Sequence, residues 1–212
     1  MSFINSPTFK RWGYFVLVAL FLNLISFVPA IAAYQSSGLV ADWIGSTLTN
    51  NTSQWNDSTN SNKLDQSSTT YSSANGGYAT LNGTSTSFLH APSNLTTFTT
   101  STMSMFFWIK PTTNAGVIMQ LGRSLSDADS EMMLSIDASG KLNFWDYNGG
   151  LGFNNVKSTD TVTLNAWNYV GFTKSTTSGA TLTYYINGTA SGTFTASNKT
   201  ISLNDFTIGQ DY

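Results

Sequence analysis

The chain has 212 residues, of which 9% are charged, a formal net charge of −2 and no cysteine. Because about 25% of the residues of an average soluble domain are charged, this surface must be built largely from Ser, Thr, Asn and Gly. Lys and Arg are few and cluster only at Lys10 and Arg11, which excludes the basic footprint of a nucleic-acid-binding protein. The lack of cysteine excludes a disulfide scaffold and, with a single histidine, a zinc site.

The first 33 residues have the pattern of a membrane-targeting segment. Residues 1–11 form a short cytoplasmic n-region that ends in two basic residues, and the 22 residues 12–33 carry no charge. That length suffices to span a bilayer as a hydrophobic helix, whereas the small residues 30–33 resemble a signal-peptidase site. A single-pass anchor and a cleaved signal peptide therefore both stay open. Either fate places residues 34–212 on the extracytoplasmic side.

From residue 34 onward the chain is predicted to be one all-β domain, because short apolar and aromatic segments alternate with turn residues. The most apolar segment, residues 103–109, is predicted to be a central strand covered on both faces. Residues 46–73 are polar and predict a long loop or weak strands. The Asn-Gly pairs at residues 82–83 and 187–188 predict hairpin turns. Further strands are predicted at residues 39–43, 78–81, 87–89, 116–121, 132–136, 142–147, 166–174, 182–186, 192–194 and 206–209.

Several of these segments, in this order, resemble the concanavalin A-like lectin/glucanase superfamily in its laminin-G-like branch. The resemblance is carried by residues 55–58, 81–83, 90–92, 102–111, 165–170, 182–188 and 208–209. It implies a jelly-roll sandwich of two antiparallel sheets, here preceded by the N-terminal hydrophobic helix. It also implies a closing strand after residue 209, so either the chain is a fragment or a sheet edge stays open, and we expect a partner chain to cover such an edge.

The acidic residues and the histidine limit the catalytic options. Glycoside hydrolysis generally needs two carboxylates across the scissile bond, and the resemblance implies paired Glu on one strand, whereas this chain has only Glu131. His90 is the single histidine, and no nucleophile-elbow motif accompanies it. Asp127, Asp129 and Glu131 alternate in a polar connection and form a candidate calcium site, because oxygen ligands cluster there. A solvated turn is the alternative interpretation, and no other cofactor is expected.

A candidate ligand site lies at the end of the strand predicted for residues 142–147. Sugars present apolar C–H faces and hydroxyl rims, so a sugar binder needs exposed aromatic rings beside amide groups. Asn143, Trp145, Tyr147 and Asn148 supply such a set, with cross-strand aromatic packing as the alternative. Four other tryptophans are predicted to anchor the core or its loops: Trp43, Trp55, Trp108 and Trp167.

Seven Asn-x-Ser/Thr motifs are glycosylation candidates if the domain is extracytoplasmic: Asn50, Asn51, Asn56, Asn82, Asn94, Asn187 and Asn198. The sequence thus predicts a non-catalytic extracytoplasmic module, membrane-anchored or secreted, that binds a glycan or a surface protein. The main alternative is a structural component of a virion surface, a capsid-membrane layer or a cell-surface assembly, held by residues 12–33. A diverged glycoside hydrolase is the third.

Overall fold

Strands separated by turns and loops make up most of the part of the chain that the structure describes. The computed structural model describes residues 41–47, 54–58, 62–92, 102–122, 130–148, 156–175, 181–195 and 205–209. Val40–Tyr212 constitute one compact unit. Residues 1–40 lie outside the described ranges, so the N-terminal helix and both fates of residues 12–33 stay predictions. Within the described ranges, no helix has the length and hydropathy needed to cross a bilayer.

Fourteen strands and two short 3-10 turns, Gly45–Thr47 and Ala74–Gly76, lie in the described ranges. The strands are β1 (Gln54–Asn56), β2 (Lys63–Ser67), β3 (Thr70–Ser72), β4 (Tyr78–Thr80), β5 (Phe88–Pro92), β6 (Met103–Ile109), β7 (Gly116–Leu121), β8 (Ser130–Ile136), β9 (Lys141–Asn148), β10 (Val156–Thr161), β11 (Asn168–Lys174), β12 (Thr181–Ile186), β13 (Thr189–Thr195) and β14 (Asp205–Ile208).

These strands form two main sheets, one of eight strands in the order β1-β2-β5-β14-β7-β8-β9-β10 and one of four strands in the order β13-β12-β11-β6. Strands β3 and β4 form a separate small sheet. Every pairing among them is antiparallel. The predicted two-sheet, antiparallel jelly-roll sandwich is therefore confirmed.

The core lies between the two main sheets and is built largely from alternate residues of their strands, as in β12. Leu142 and Phe144 of β9 point into it, as predicted, and the Phe144 ring meets Phe172 of β11 with centroids 5.0 Å apart. The hydroxyl of buried Tyr184 donates a 2.5 Å hydrogen bond to the carbonyl oxygen of Val156. This bond ties β12 of one sheet to β10 of the other, and the burial raises the pKa of Tyr184.

The two predicted Asn-Gly hairpins have different outcomes. Asn187 and Gly188 both have positive φ, +53° and +81°, as a type I′ turn between β12 and β13 requires. At Asn82 and Gly83 the hairpin prediction is wrong, because β4 pairs with β3 whereas β5 pairs with β2 and β14. The Asn82 side chain instead accepts hydrogen bonds from the amide and hydroxyl of Thr84.

Strand β6 has the predicted bounds, but its predicted central position is wrong. It lies at the end of the four-stranded sheet in the described part of the chain. Met103 and Met105 are buried, whereas Phe106 is 38% and Trp108 65% exposed. One face of the strand is therefore open, and Trp108 is not a core anchor. Trp43 and Trp55 do pack against the core, and Trp167 contacts Tyr78 edge-to-face.

The strand predicted at residues 39–43 is not found in its described part, because residues 41–43 are not in a strand. The polar stretch 46–73, predicted to be a loop or weak strands, does contain the short strands β1 to β3, whereas β10 was not predicted. Strand β14 pairs with β5 on one side and with β7 on the other. The closing strand expected after residue 209 would lie outside the described ranges, so that strand, the open edge and its partner chain stay predictions.

Candidate functional site

The outer surface of the four-stranded sheet carries four aromatic side chains that we call the aromatic face: Phe106, Trp108, Tyr169 and Tyr185. Their places follow from the register of the strands. Tyr169 of β11 lies opposite Trp108 of β6, and Gly171 lies between Phe106 of β6 and Tyr185 of β12. The residues that alternate with them point into the core, so these four point away from it.

The rings of the aromatic face form one continuous run across three strands. The Trp108 and Tyr169 centroids are 5.1 Å apart, those of Tyr169 and Phe106 are 5.4 Å apart at 17° between planes, and those of Phe106 and Tyr185 are 5.8 Å apart. All three distances lie in the range of favourable aromatic contacts. Partial burial in this run raises the pKa of Tyr169.

Gly171 creates the space that the centre of this run needs. A Cβ atom at this position would overlap the carbonyl oxygen of Met105 and lie 2.5 Å from Cδ1 of Phe106. Only glycine therefore lets the Phe106 ring lie across β11, between Tyr169 and Tyr185. The requirement depends on which residues face each other across strands, so sequence inspection did not find it.

Beside the aromatic face runs a second band, which we call the hydroxyl row. Its members are Ser104, Thr173, Thr183 and Thr193, which lie opposite one another on β6, β11, β12 and β13. The hydroxyl oxygens of Thr183 and Thr193 are 3.1 Å apart. Among the strand residues of this sheet only Lys174 is charged, and it is buried on the core side. The outer surface of these strands is therefore aromatic and hydroxyl-bearing, with the exposed Lys110 directly after the end of β6.

The sequence-predicted ligand residues lie elsewhere, on the outer surface of the eight-stranded sheet. Asn143 is only 4% exposed, and its Oδ1 has no hydrogen-bond partner among the described residues. Trp145 is half-buried on the same side of β9. The side chains of Tyr147 and Asn148 lie outside the described part of the structure. The exposed amide expected beside the rings is thus buried, and ligand binding by the other members of the set stays a prediction.

His90 lies in a row with Asp65 of β2 and Thr207 of β14. This order of an acid, a histidine and a hydroxyl has the composition of a nucleophilic triad. The side chain of Thr207 is 0% exposed, however, so a substrate cannot reach its hydroxyl from solvent. Asp65 also accepts a 2.8 Å hydrogen bond from Gln54. The row therefore offers no accessible nucleophile.

The candidate calcium residues fall largely outside the described ranges. Asp127 and Asp129 lie outside them, and Glu131 is described only by its backbone, which pairs with Tyr147 in the β8–β9 ladder. In the part of the chain that the structure covers, no three His, Asp or Glu side chains are placed to hold a metal ion. The calcium site stays a prediction.

Three of the seven glycosylation candidates can be placed. Asn82 and Asn187 are exposed, and Asn56 is half-buried in β1. The Asn187 side chain accepts a 2.9 Å hydrogen bond from the amide of Tyr169, so it borders the aromatic face. The other four, Asn50, Asn51, Asn94 and Asn198, lie outside the described ranges.

Residues 82–212 match the sequence model of a family described as the concanavalin A-like lectin/glucanases superfamily. No curated protein sequence matches the chain. Among solved structures, the botulinum neurotoxin type G receptor binding domain is similar, with a TM-score of 0.60 and 16% identity over 79% of this chain and 42% of that one. The binding domain of Paraclostridial Mosquitocidal Protein 1 has a TM-score of 0.55 and 16% identity over 81% of this chain and 48% of that one.

A carbohydrate binding module from Bacillus subtilis is more distant, with a TM-score of 0.43 and 13% identity over 69% of this chain and 87% of that one. The chain spans 42% of the type G toxin domain and 48% of the mosquitocidal one. At these identities the likeness shows the fold alone.

Proposed function

Because the chain belongs to the concanavalin A-like lectin/glucanase superfamily, we propose that it is a non-catalytic binding module that holds a glycan on its aromatic face. The structural neighbours named as binding domains agree with a binding role, but fold does not choose a ligand. The proposal depends on one observation: Trp108 is 65% exposed at the end of a run of contacting rings.

The chemistry of this surface suits a sugar. Contiguous exposed aromatic residues mark interaction sites on soluble proteins, and flat rings accept the apolar C–H faces of pyranoses. The hydroxyl row lies beside them, and each Ser or Thr hydroxyl both donates and accepts hydrogen bonds. A sugar lying on the rings would therefore find hydrogen-bonding partners for its hydroxyl rim at Thr173 and Thr183.

The non-catalytic part of the proposal is supported by the residues that hydrolysis would need. The chain has one Glu, whereas glycosidases generally use two carboxylates. In the His90 row, the buried hydroxyl of Thr207 is out of reach of a substrate. A diverged hydrolase would be supported by turnover of a glycan that Glu131→Gln abolishes.

We place this binding face outside a membrane, as residues 12–33 predict for an anchored or secreted chain.

A protein partner is the second candidate ligand, favoured by β6: in the described part of the chain it pairs only with β11, in an unbroken register of seven residues. Such an edge can accept a strand from another chain. Cross-linking of β6 to a co-assembling protein, without glycan binding, would support this candidate and the structural alternative.

The proposal is tested by a glycan array probed with the full chain, in a detergent without a sugar headgroup so that the detergent cannot compete. Trp108→Ala should weaken binding roughly tenfold, the equivalent of about 1.4 kcal/mol. Ile44→Ala is the matched control, because Ile44 is an exposed apolar residue away from this sheet. Binding that survives Trp108→Ala but is lost in Trp145→Ala would move the site to the eight-stranded sheet.

A further inference from the structure

We propose that Asn187 carries an N-linked glycan, and that this glycan lies on the aromatic face and competes there with external ligands. The contact is independent of the proposed function, whereas the competition rests on it and describes how the same site is regulated. Both follow from the position of Asn187 in the strand register, from the space around its hairpin and from the contrast with an identical tripeptide elsewhere in the chain.

Asn187 continues the register of the aromatic face across the sheet. Its amide nitrogen donates a 2.7 Å hydrogen bond to the carbonyl oxygen of Tyr169, and its Oδ1 accepts a 2.9 Å hydrogen bond from the Tyr169 amide. Tyr169 in turn lies opposite Trp108, so Trp108, Tyr169 and Asn187 form one row across β6, β11 and the β12–β13 turn. The side-chain amide of Asn187 is therefore held next to Tyr169, at the end of this row.

The side-chain nitrogen of Asn187 is open to modification. Asn187 and Gly188 are both exposed, and a Cβ atom built on Gly188 would meet no atom within 4 Å. Thr189 completes the Asn-x-Thr motif that N-glycosylation requires. A sugar on Nδ2 leaves Oδ1 as an acceptor, so the hydrogen bond from the Tyr169 amide persists and holds the first sugar beside this row.

The modification is a group transfer that needs no oxidant or reductant. Its donor is a lipid-pyrophosphate-linked oligosaccharide, which is used in the extracytoplasmic compartment that residues 12–33 predict. A bond forms between Nδ2 and C1 of the first sugar, and the bond from C1 to the pyrophosphate oxygen breaks. The amide gives up one proton as the lipid pyrophosphate leaves.

A glycan that starts at Asn187 meets Tyr169 first and Trp108 next. Because neighbouring strands lie about 4.8 Å apart, the row from Asn187 to Trp108 is about 10 Å long, a distance that the first few sugars span. The apolar C–H faces of these sugars pack on the rings. Tethering at the end of the row gives the glycan an effective concentration on the order of millimolar at the rings, so an external ligand must displace it.

The chain contains a second copy of this motif in different surroundings. Residues 82–84 and 187–189 are both Asn-Gly-Thr, and all six residues are exposed. Asn82 lies in the loop between β4 and β5, and its side chain accepts hydrogen bonds of 3.0 and 2.7 Å from Thr84 of the same motif. A glycan at Asn82 therefore starts away from the aromatic face, which makes it the matched control.

The proposal is tested on the full chain made in insect cells, which attach N-glycans, and in bacteria that lack the transferase. Peptide mass spectrometry of the insect-cell protein should find most of Asn187 modified. Glycosylation should raise the melting temperature, and Thr189→Ala, which removes the motif but retains Asn187 and its hydrogen bonds with Tyr169, should reduce that rise by about 2–4 °C. Thr84→Ala, which removes the glycan from Asn82, should reduce it by less than about 1 °C.

The competition is measured by probing both preparations on one glycan array. Thr189→Ala from insect cells should bind roughly threefold more tightly than the glycosylated wild-type chain, and the two chains should bind equally when made in bacteria. Equal binding of the two insect-cell proteins would overturn the competition.

Two results would overturn the glycan contact itself: an unmodified Asn187, or an equal loss of the melting-temperature rise in Thr189→Ala and Thr84→Ala. If no glycan of the array binds either preparation, the proposed function and the competition both fail. The melting temperatures then still decide whether the attached glycan lies on the aromatic face.

Discussion

The outer surfaces of the two sheets differ in a way that residue type alone does not explain. On the four-stranded sheet, large aromatic residues point outward and Phe106 and Trp108 remain exposed. On the eight-stranded sheet, the outward residues Gln120, Asn143 and Thr207 are polar, yet each is at least 96% buried. Apolar residues thus face solvent on one sheet while polar residues are buried on the other.

This contrast indicates which of the two outer surfaces is the better candidate for a ligand site. Buried polar residues are common where they have structural partners, so their presence on a strand is weak support for binding. An exposed run of contacting aromatic rings is uncommon on a soluble domain and marks a contact surface. The aromatic face is therefore the better candidate for a ligand site, and substitutions on the two surfaces should have different effects on stability and binding.

The largest effect is expected for Gly171→Ala. The added Cβ would collide with the backbone of β6 and with the Phe106 ring, and overpacking of this kind typically costs about 1–3 kcal/mol. We expect a loss near 3 kcal/mol in the free energy of unfolding, measured by urea denaturation, and loss of glycan binding. Gly188→Ala is the control, because that glycine has open space around it and only its positive φ is strained. An unchanged stability of Gly171→Ala would contradict the packing of the Phe106 ring on β11.

The two tryptophans provide the most direct comparison of the surfaces. Trp145 is half-buried, so Trp145→Ala should lower the free energy of unfolding by about 2 kcal/mol, somewhat less than the loss for a fully buried ring. Trp108 is mostly exposed, so Trp108→Ala should change the free energy of unfolding by less than about 0.5 kcal/mol while weakening glycan binding roughly tenfold. Urea denaturation and calorimetric titration of both variants measure the two effects. The reverse pattern would show that the functional surface is on the eight-stranded sheet.

Much of the fold could be predicted because a strand has a recognisable pattern in its own residues. Residues 103–109 and 116–121 are apolar or aromatic between turn residues, and both segments have the predicted bounds. The hairpin prediction at Asn82 is wrong because β5 pairs with β2 and with β14 instead of β4, and β14 is more than a hundred residues away in the sequence. No local pattern contains that information.

The candidate site was harder to predict than the strands that carry it. The apolar run in β6 indicated burial on both faces, but Ser104 and Lys110 share a pleat side with Phe106 and Trp108, and both are exposed. These two polar residues were the available signal that this side faces solvent. The role of Gly171 could not be found in this way, because it depends on the register between β6 and β11.

Asn143→Leu, on the eight-stranded sheet, should have only a small effect on the free energy of unfolding and none on glycan binding. The Oδ1 atom of Asn143 is buried and accepts no hydrogen bond in the described part of the chain. Leucine is of similar size and removes this unsatisfied acceptor, which offsets the loss of the amide, so the substitution should be close to neutral in stability. We expect the free energy of unfolding, from urea denaturation, to change by less than about 1 kcal/mol, with glycan binding intact. A loss of binding with unchanged stability would show that Asn143 contacts the ligand.

The smallest effects concern the pH dependence of the free energy of unfolding. A residue next to the eight-stranded sheet should lose its stabilising contribution at acidic pH, and a residue on the aromatic face should lose its contribution at alkaline pH. Next to the eight-stranded sheet, Asp137 accepts hydrogen bonds from Lys157, at 2.8 Å, and from the amides of Ser139 and Lys141. These bonds, that of Lys157 first, hold the pKa of Asp137 below its ordinary value of 3.8. Its contribution is therefore present above pH 3.8 and is lost as the pH falls through the folded pKa.

On the aromatic face the sign is reversed, because burial raises the pKa of Tyr169 above its ordinary value of 10.0. The contribution of its neutral form is present below pH 10 and is lost as the pH rises through the folded pKa. Each contribution is less than about 1 kcal/mol, since Asp137 and Tyr169 are partly solvated. In urea denaturation from pH 3 to 11, Asp137→Asn should flatten only the acid limb of the plot of stability against pH. Tyr169→Phe should flatten only part of the alkaline limb, because burial also raises the pKa of Tyr184 and the contribution of that residue falls over the same range. If Tyr169→Phe left the alkaline limb unchanged, the burial of Tyr169 in the ring run would be contradicted.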